Sequence, residues 1–218
     1  MARTARVVAP GIAHHITQRG VRRLPVFSDH QDRHLFSKAL LDSSVKYGLR
    51  ILAYCWMTNH THVIAIPQKP DSLAKTFRRA HSIYALQFNR KYGLSGYLWQ
   101  NRFYSCPLDE QRLWSAIRYV ERNPVRAGLT SRAEDYPWSS ALSHCCGAED
   151  PLLDPDWRQV QTIADWSAWL ASGDDKADEQ IRSRTISGIP CGDDAFVSRL
   201  EQELGRILRL RRPGPTPE

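Results

Sequence analysis

Apolar and polar positions alternate from Ile12 to Arg19, with Ile12, His14, Ile16 and Gln18 on one face and Ala13, His15, Thr17 and Arg19 on the other. That period of two predicts a first strand, opened by Pro10-Gly11 and ended by Gly20, before a loop beginning at Val21–Arg23. From His30 to Tyr47 the period changes. Leu35, Phe36, Ala39, Leu40 and Val45 recur at helical spacing, Asp29 stands where a cap belongs and Gly48 where a helix stops. Two apolar runs follow, Leu49–Met57 and His60–Ile66, joined by the short Thr58-Asn59 turn and closed by Pro67. After Asp71-Ser72, Leu73, Phe77, Ala80, Ile83, Tyr84, Leu86, Phe88 and Tyr92 mark a long helix that stops at Gly93. The aromatic stretch Tyr97–Pro107 reads as a fourth strand with an irregular start. The order strand, helix, strand, strand, helix, strand is the split βαβ pattern. It predicts an α+β protein with a ferredoxin-like antiparallel sheet, helices on one face and the other face free for a ligand.

Beyond that unit, Asp109 can cap a helix from Glu110 to Arg122, with an apolar stripe of Leu113, Ile117 and Val120. The helix must end near Asn123, because Pro124 disfavours helical geometry in the residue before it. Trp138–Ser140 reads as a turn into a short helix. Composition then shifts, dividing the chain into a first domain over residues 1–148 and a helical C-terminal extension over 149–218. In the extension, Pro151–Pro155 reads as a linker and Trp157, Val160, Ile163, Trp166, Trp169 and Leu170 as one amphipathic helix. Ser172–Glu179 reads as a solvated turn. A last helix carries Phe196, Leu200, Leu204, Ile207 and Leu208 among Arg199, Arg206, Arg209, Arg211 and Arg212, and Pro213–Glu218 should be disordered.

Charge sharpens this division. Residues 1–148 hold 21 Lys/Arg against 9 Asp/Glu and residues 149–218 hold 9 against 14, so the net +7 is +12 on the first part and −5 on the second. Most of the basic residues are arginine, whose planar fork pairs with phosphate through two bonds and stacks on bases. A polyanionic partner, nucleic acid first of all, follows. Five scattered cysteines without a CxxC pair read as reduced thiols. No apolar run is long enough to span a bilayer and the first residues lack a signal peptide's apolar stretch, so a soluble, cytoplasmic protein is expected.

Chemistry concentrates at two places. His60 and His62, two apart on a strand, project to the same side and can reach one metal ion. They are equally readable as two polar residues on the sheet's open face. Tyr119 and Asn123 lie one turn apart on a flank of the later helix, so one face offers a phenol and an amide oxygen. Two imidazoles and an amide oxygen holding a divalent ion would leave positions open for phosphate oxygens, and a phenolate beside them could attack phosphorus.

These segments resemble the HUH single-tyrosine transposases (IS200-like), and most closely the REP-associated tyrosine transposases. The resemblance rests on His60–His62, Tyr119–Leu129, Pro10–Gly20, Trp56–His62, Leu98–Phe103 and Asp135–Ser140, ordered blocks spanning about residues 7–145. It implies cutting and rejoining of single-stranded DNA next to palindromic hairpins, dependent on Mg²⁺ or Mn²⁺, through a covalent 5′-phosphotyrosine. Carried over by motif, His60, His62 and Asn123 would hold the metal and Tyr119 would be the nucleophile. One position departs from the pattern: Thr61 stands where a bulky apolar residue is usual, and a packing loss of about 1 kcal/mol is expected. Arg19, Arg22, Arg23, Arg78, Arg79, Arg102, Arg118, Arg122 and Arg126 are candidate DNA contacts, and Trp99, Phe103 and Tyr104 could stack on bases, although core packing suits at least two of the three. A non-catalytic hairpin-DNA binder is the alternative, whereas a zinc hydrolase lacks any HExxH or Cys/His cluster. Monomer and homodimer both remain open.

Overall fold

The computed structural model describes residues 5–160, without the side chains of 158–160, and residues 163–209. The first six elements follow the expected order: β1 (His14–Arg19), α1 (His30–Tyr47), β2 (Leu49–Met57), β3 (His60–Pro67), α2 (Ser72–Tyr92) and β4 (Tyr104–Pro107). The strands form one antiparallel sheet in the order β2-β3-β1-β4, which is the ferredoxin-like arrangement. Local signals set the helix ends. Asp29 and Asp32 form a reciprocal capping box at the start of α1. Gly48 and Gly93 close α1 and α2 at φ of 65° and 63°, where a side chain would be strained.

One face of the sheet carries α1 and α2 as expected. There Phe36, Leu40, Trp56, Val63, Phe77 and Tyr84 are fully buried in one cluster, and the Trp56 indole donates to Ser37 Oγ at 2.9 Å. Thr61 is buried on this side of the strand, away from the histidines.

The other face is not free. It is covered by α3 (Glu110–Glu121), the one-turn α4 (Asn123–Arg126), α5 (Ala141–Cys146), α6 (Trp166–Ala171) and α7 (Asp175–Ser187), while α8 (Asp194–Leu204) packs near the N-terminal segment. Ala53, Cys55, Ile64 and Cys106 of the sheet meet Ala116, Ile117 and Val120 of α3, and Trp166, Leu170 and Ile181 of the extension, in a second core. The physical reason lies in β2 itself. A strand apolar on both faces, as Ile51–Met57 is, needs cover on both.

Further expectations change. The fourth strand shortens to Tyr104–Pro107, because Leu98 and Trp99 turn into the α1–α2 core, leaving a single bridge between Gly20 and Trp99. The amphipathic stretch of the extension divides into a 3₁₀ turn, Pro155–Val160, and the separate α6. Its Val160 side chain lies outside the described residues. Ser172–Glu179 is not a solvated turn: Asp174 accepts from the Ala177 amide and caps α7, whose first residues fall in that run. The linker Pro151–Pro155 is held down, with Leu152 and Leu153 in the first core and Asp154 paired to Arg50 at 2.6 Å. In the last helix Phe196 and Leu200 are buried as expected, but Gly205 ends it before Ile207 and Leu208. Arg211, Arg212 and Pro213–Glu218 lie outside the described residues.

Gly20, between β1 and the arginine loop, is required by space rather than by dihedral angle. A Cβ there would stand 2.3 Å from the Leu24 carbonyl oxygen and 2.7 Å from Val26 Cγ1, while the Gly20 amide is tied to Asn59 O at 2.9 Å. Gly20→Ala should therefore cost about 1–3 kcal/mol by overpacking. A thermal melt unchanged from wild type would show that the loop yields freely.

Candidate functional site

Antiparallel pairing brings the histidine motif beside β1. Thr17 lies opposite His62 and Arg19 opposite His60, so His15 becomes the diagonal neighbour of His62 on the same face. Across that face runs α3, which presents Tyr119 one turn before Asn123. The result is a cleft of about 410 Å³ lined by His15, Gln18, Arg19, His60, His62, Tyr104, Tyr119, Asn123, Arg126, Arg182 and Thr185, among others. The four residues expected to act together, His60, His62, Tyr119 and Asn123, thus share one cavity.

Their geometry is close. The His60 and His62 rings have centroids 5.0 Å apart. Tyr119 stands edge-on to His62 at 5.4 Å and to His15 at 5.7 Å. Asn123 donates its Nδ2 to Tyr119 O at 2.8 Å. Because a carbonyl only accepts, the amide nitrogen is committed to the helix, and the oxygen is the atom left for a ligand. Among the described residues no group of three His, Cys, Asp or Glu side chains is placed to hold a metal ion. Two imidazoles and an amide oxygen line this cleft, neutral N and O donors of the kind a divalent cation can accept.

Burial governs the ionisation of these groups. It pushes His60 down to about 4, with Arg19 adding repulsion, and holds His62 well below its ordinary value. His15 is pushed down to about 3 in the same way. Burial also raises the Tyr119 phenol, opposed by Arg126 and Arg182, and the Arg126 guanidinium lies 5.3 Å from the ring centroid. The imidazoles are therefore neutral lone-pair donors at neutral pH, and the two arginines favour the phenolate.

A consequence for stability follows, since His14 at about 4 and His81 at about 3 are likewise depressed by burial. The unfolded imidazole, near 6.5, binds a proton that the folded one refuses. Stability is thus complete above pH 6.5 and is lost as pH falls through the folded values, by up to about 1.4 kcal/mol per pH unit for each group. Melting temperature should drop steadily between pH 7 and pH 4.5, and a flat profile would contradict the neutral buried imidazoles.

The candidate DNA contacts separate into groups. Arg19 and Arg126 line the cleft. Arg22 and Arg23 are exposed on the loop after β1, both at positive φ. Arg102 is exposed beside Phe103, at the neighbouring groove formed with Arg6 and Arg206. Arg118 and Arg122 lie against the extension: Arg118 is 3.9 Å from Asp174 and packs over Trp169, and Arg122 crowds Gly173. Arg78 and Arg79 are exposed on α2, on the opposite side of the sheet, and do not reach the cleft. Of the three aromatics, Phe103 is buried, Trp99 packs into the first core, and Tyr104 is open to the cleft. Sequence reasoning missed Arg182 and Thr185, which come from α7. The signal available was the helical spacing of Ala177, Ile181 and Thr185 behind Asp174.

Comparison with known proteins gives consistent results. The family model described as "Transposase IS200 like" matches residues 9–123. A Haemophilus influenzae protein curated under the name REP-associated tyrosine transposase is 31% identical over 117 residues, 48% of this chain and 66% of that protein. The chain thus spans slightly less than two thirds of that relative's length. Among solved structures, a REP-associated tyrosine transposase bound to a REP hairpin superposes with a TM-score of 0.54 at 20% identity, over 75% of this chain and 96% of that one. At that identity the likeness is one of fold.

Proposed function

Because the chain belongs to the IS200-like transposase family, we propose that it cuts and rejoins single-stranded DNA next to palindromic hairpins, with Tyr119 as the nucleophile. The observation that carries this reading is the edge-on placement of Tyr119 against His62, in the cavity that also holds His60, Asn123 and Arg126. Hairpin DNA as the partner draws on the resemblance to REP-associated tyrosine transposases, one of which was solved with a REP hairpin. The basic first part of the chain supports the same partner.

In the cleaving step the Tyr119 oxygen forms a bond to phosphorus as the bond from phosphorus to the 3′-oxygen breaks. The proton released by the phenol balances the one taken up by the leaving 3′-oxygen. The 5′-phosphate stays on Tyr119 until a 3′-OH attacks it, restoring a phosphodiester and the phenol. Arg126 and Arg182 stabilise the phenolate, and Arg19 stands at the wall where a phosphate would enter. His60, His62 and Asn123 would hold Mg²⁺ or Mn²⁺, which when bound polarises the scissile phosphate as a Lewis acid. A DNA substrate and free thiols fit a cytoplasmic protein, and no described helix is long and apolar enough to cross a membrane.

The test is incubation of the protein with a single-stranded hairpin oligonucleotide and Mn²⁺, followed by denaturing electrophoresis. An SDS-resistant adduct retaining only a 3′-end label is expected. Tight binding without any adduct would leave a hairpin-binding protein that does not turn over.

A further inference from the structure

Each of the two histidines is held from behind by a hydrogen-bond arm, and the arms can be followed atom by atom. For His62 the arm starts in the extension. Thr185 Oγ1 lies 2.7 Å from Ile181 O. Two oxygens at that distance need a proton between them, and only the hydroxyl can supply it. With its single proton spent there, Thr185 can only accept from His15 Nδ1, 2.7 Å away. His15 therefore carries its proton on Nδ1, and its Nε2 is a bare acceptor. That Nε2 is 2.9 Å from His62 Nδ1. The rings are coplanar to within 4° with centroids 5.2 Å apart, an edge-to-edge arrangement suited to an in-plane N–H···N bond. His62 must donate from Nδ1, which leaves Nε2 with its lone pair.

The second arm is independent and reaches the same end. Asn59 Nδ2 donates to Arg23 O at 3.0 Å, and since a carbonyl accepts only, this fixes which way the amide points. The Asn59 oxygen then faces His60 Nδ1 at 2.7 Å and can only accept from it. His60 is thus also protonated on Nδ1 with Nε2 bare. Neither arm was a candidate site from sequence, and the two begin in unrelated parts of the chain, the β2–β3 turn and α7.

We propose that Asn59 on one side, and His15 with Thr185 on the other, are positioning residues that fix His60 and His62 in the Nδ1–H form, so that both present Nε2 to a divalent cation. This rests on the metal site proposed above and assigns the extension a part in it. Partners behind a metal-binding imidazole commonly contribute 10- to 100-fold in affinity by fixing ring orientation and tautomer. Were Thr185 unable to accept, His15 would lose the partner for its Nδ1 proton. Its proton would then move to Nε2, and His62 would be forced to carry its own on the nitrogen meant for the ion.

The experiment uses the full chain labelled with ¹⁵N-histidine. Long-range proton–nitrogen spectra of the metal-free protein report the tautomer of each ring, and Mn²⁺ titration followed by electron paramagnetic resonance reports affinity. Wild type should show His15, His60 and His62 all as Nδ1–H. Thr185→Val, close in shape, should disturb the His15 and His62 signals only and weaken Mn²⁺ binding at least about tenfold, and Thr185→Ser should restore both. Asn59→Asp, which keeps the acceptor, should keep the His60 tautomer, whereas Asn59→Leu should lose it. A folded Thr185→Val protein with unchanged tautomers or unchanged Mn²⁺ affinity would overturn the assignment, as would a wild-type His62 protonated on Nε2. If the tautomers respond as stated but wild type binds no Mn²⁺, the hydrogen-bond arms stand and the metal reading of the cleft falls.

Discussion

Tyr119→Phe is expected to abolish the covalent DNA adduct, by about 10³-fold or more, while leaving hairpin binding within about twofold of wild type. The substitution removes one oxygen. The ring keeps its edge contacts with His15 and His62, and Tyr119 is 5% exposed, so the helix has no reason to move. What disappears is the α3 phenol that shares the cavity with His60, His62 and Asn123. Because burial raises the Tyr119 phenol above its ordinary value, the phenolate is scarce at neutral pH and grows as pH rises. Wild-type adduct formation should therefore accelerate between pH 7 and pH 9. An adduct formed by Tyr119→Phe would move the nucleophile elsewhere, with Tyr104, also on the cleft, the first alternative to replace.

The largest effect on stability is expected at Glu121, two residues along the same helix. This carboxylate is fully buried. Ser140 Oγ donates to Oε1 at 2.5 Å, Trp166 Nε1 donates to Oε2 at 2.8 Å, and His144 Nδ1 lies 2.5 Å from Oε1. A buried carboxylate is tolerated only when its oxygens are satisfied in this way, and removing it leaves the Ser140 and Trp166 donors without their partner in the second core and takes the acid away from beside His144. Glu121→Ala should cost about 3–5 kcal/mol, which for a chain of this size corresponds to a fall in Tm of roughly 6–20 °C. Calorimetry on the purified variant decides it. A loss of only a degree or two would mean that Ser140 and Trp166 find other partners.

Much of the fold is legible because its signals are local. Asp29, Gly48, Gly93 and Pro67 mark ends by chemistry that acts within a few residues, and the alternation of β1 needs no partner to be read. The four residues gathered in the cleft are legible for the same reason: His60 with His62, and Tyr119 with Asn123, are each set by local spacing along the chain. His15 was visible on the right face of its strand, but its meaning depends on the β1–β3 register, which places it diagonal to His62. Asn59 looked like a turn residue and nothing more. The start of α7 was hidden by composition, since Ser172–Glu179 is charged enough to resemble a loop. Its Asp174 and Asp178 are instead turned toward Arg118 and Arg126, which is where part of the acidic surplus of the extension is used. The covered second face was the least legible feature, because an apolar strand does not say which segment will cover it.

α7 stands over the sheet with Ile181 in the core and Thr185 at the back of the cleft. Exchange of this region between related chains is therefore constrained. A chimaera that grafts residues 149–209 of another chain onto residues 1–148 of this one inherits, along with a new surface, a new neighbour for His15 and new counter-ions for Arg118 and Arg126. Such a graft should function only where the donor brings a hydroxyl at the Thr185 position and an acid facing Arg126.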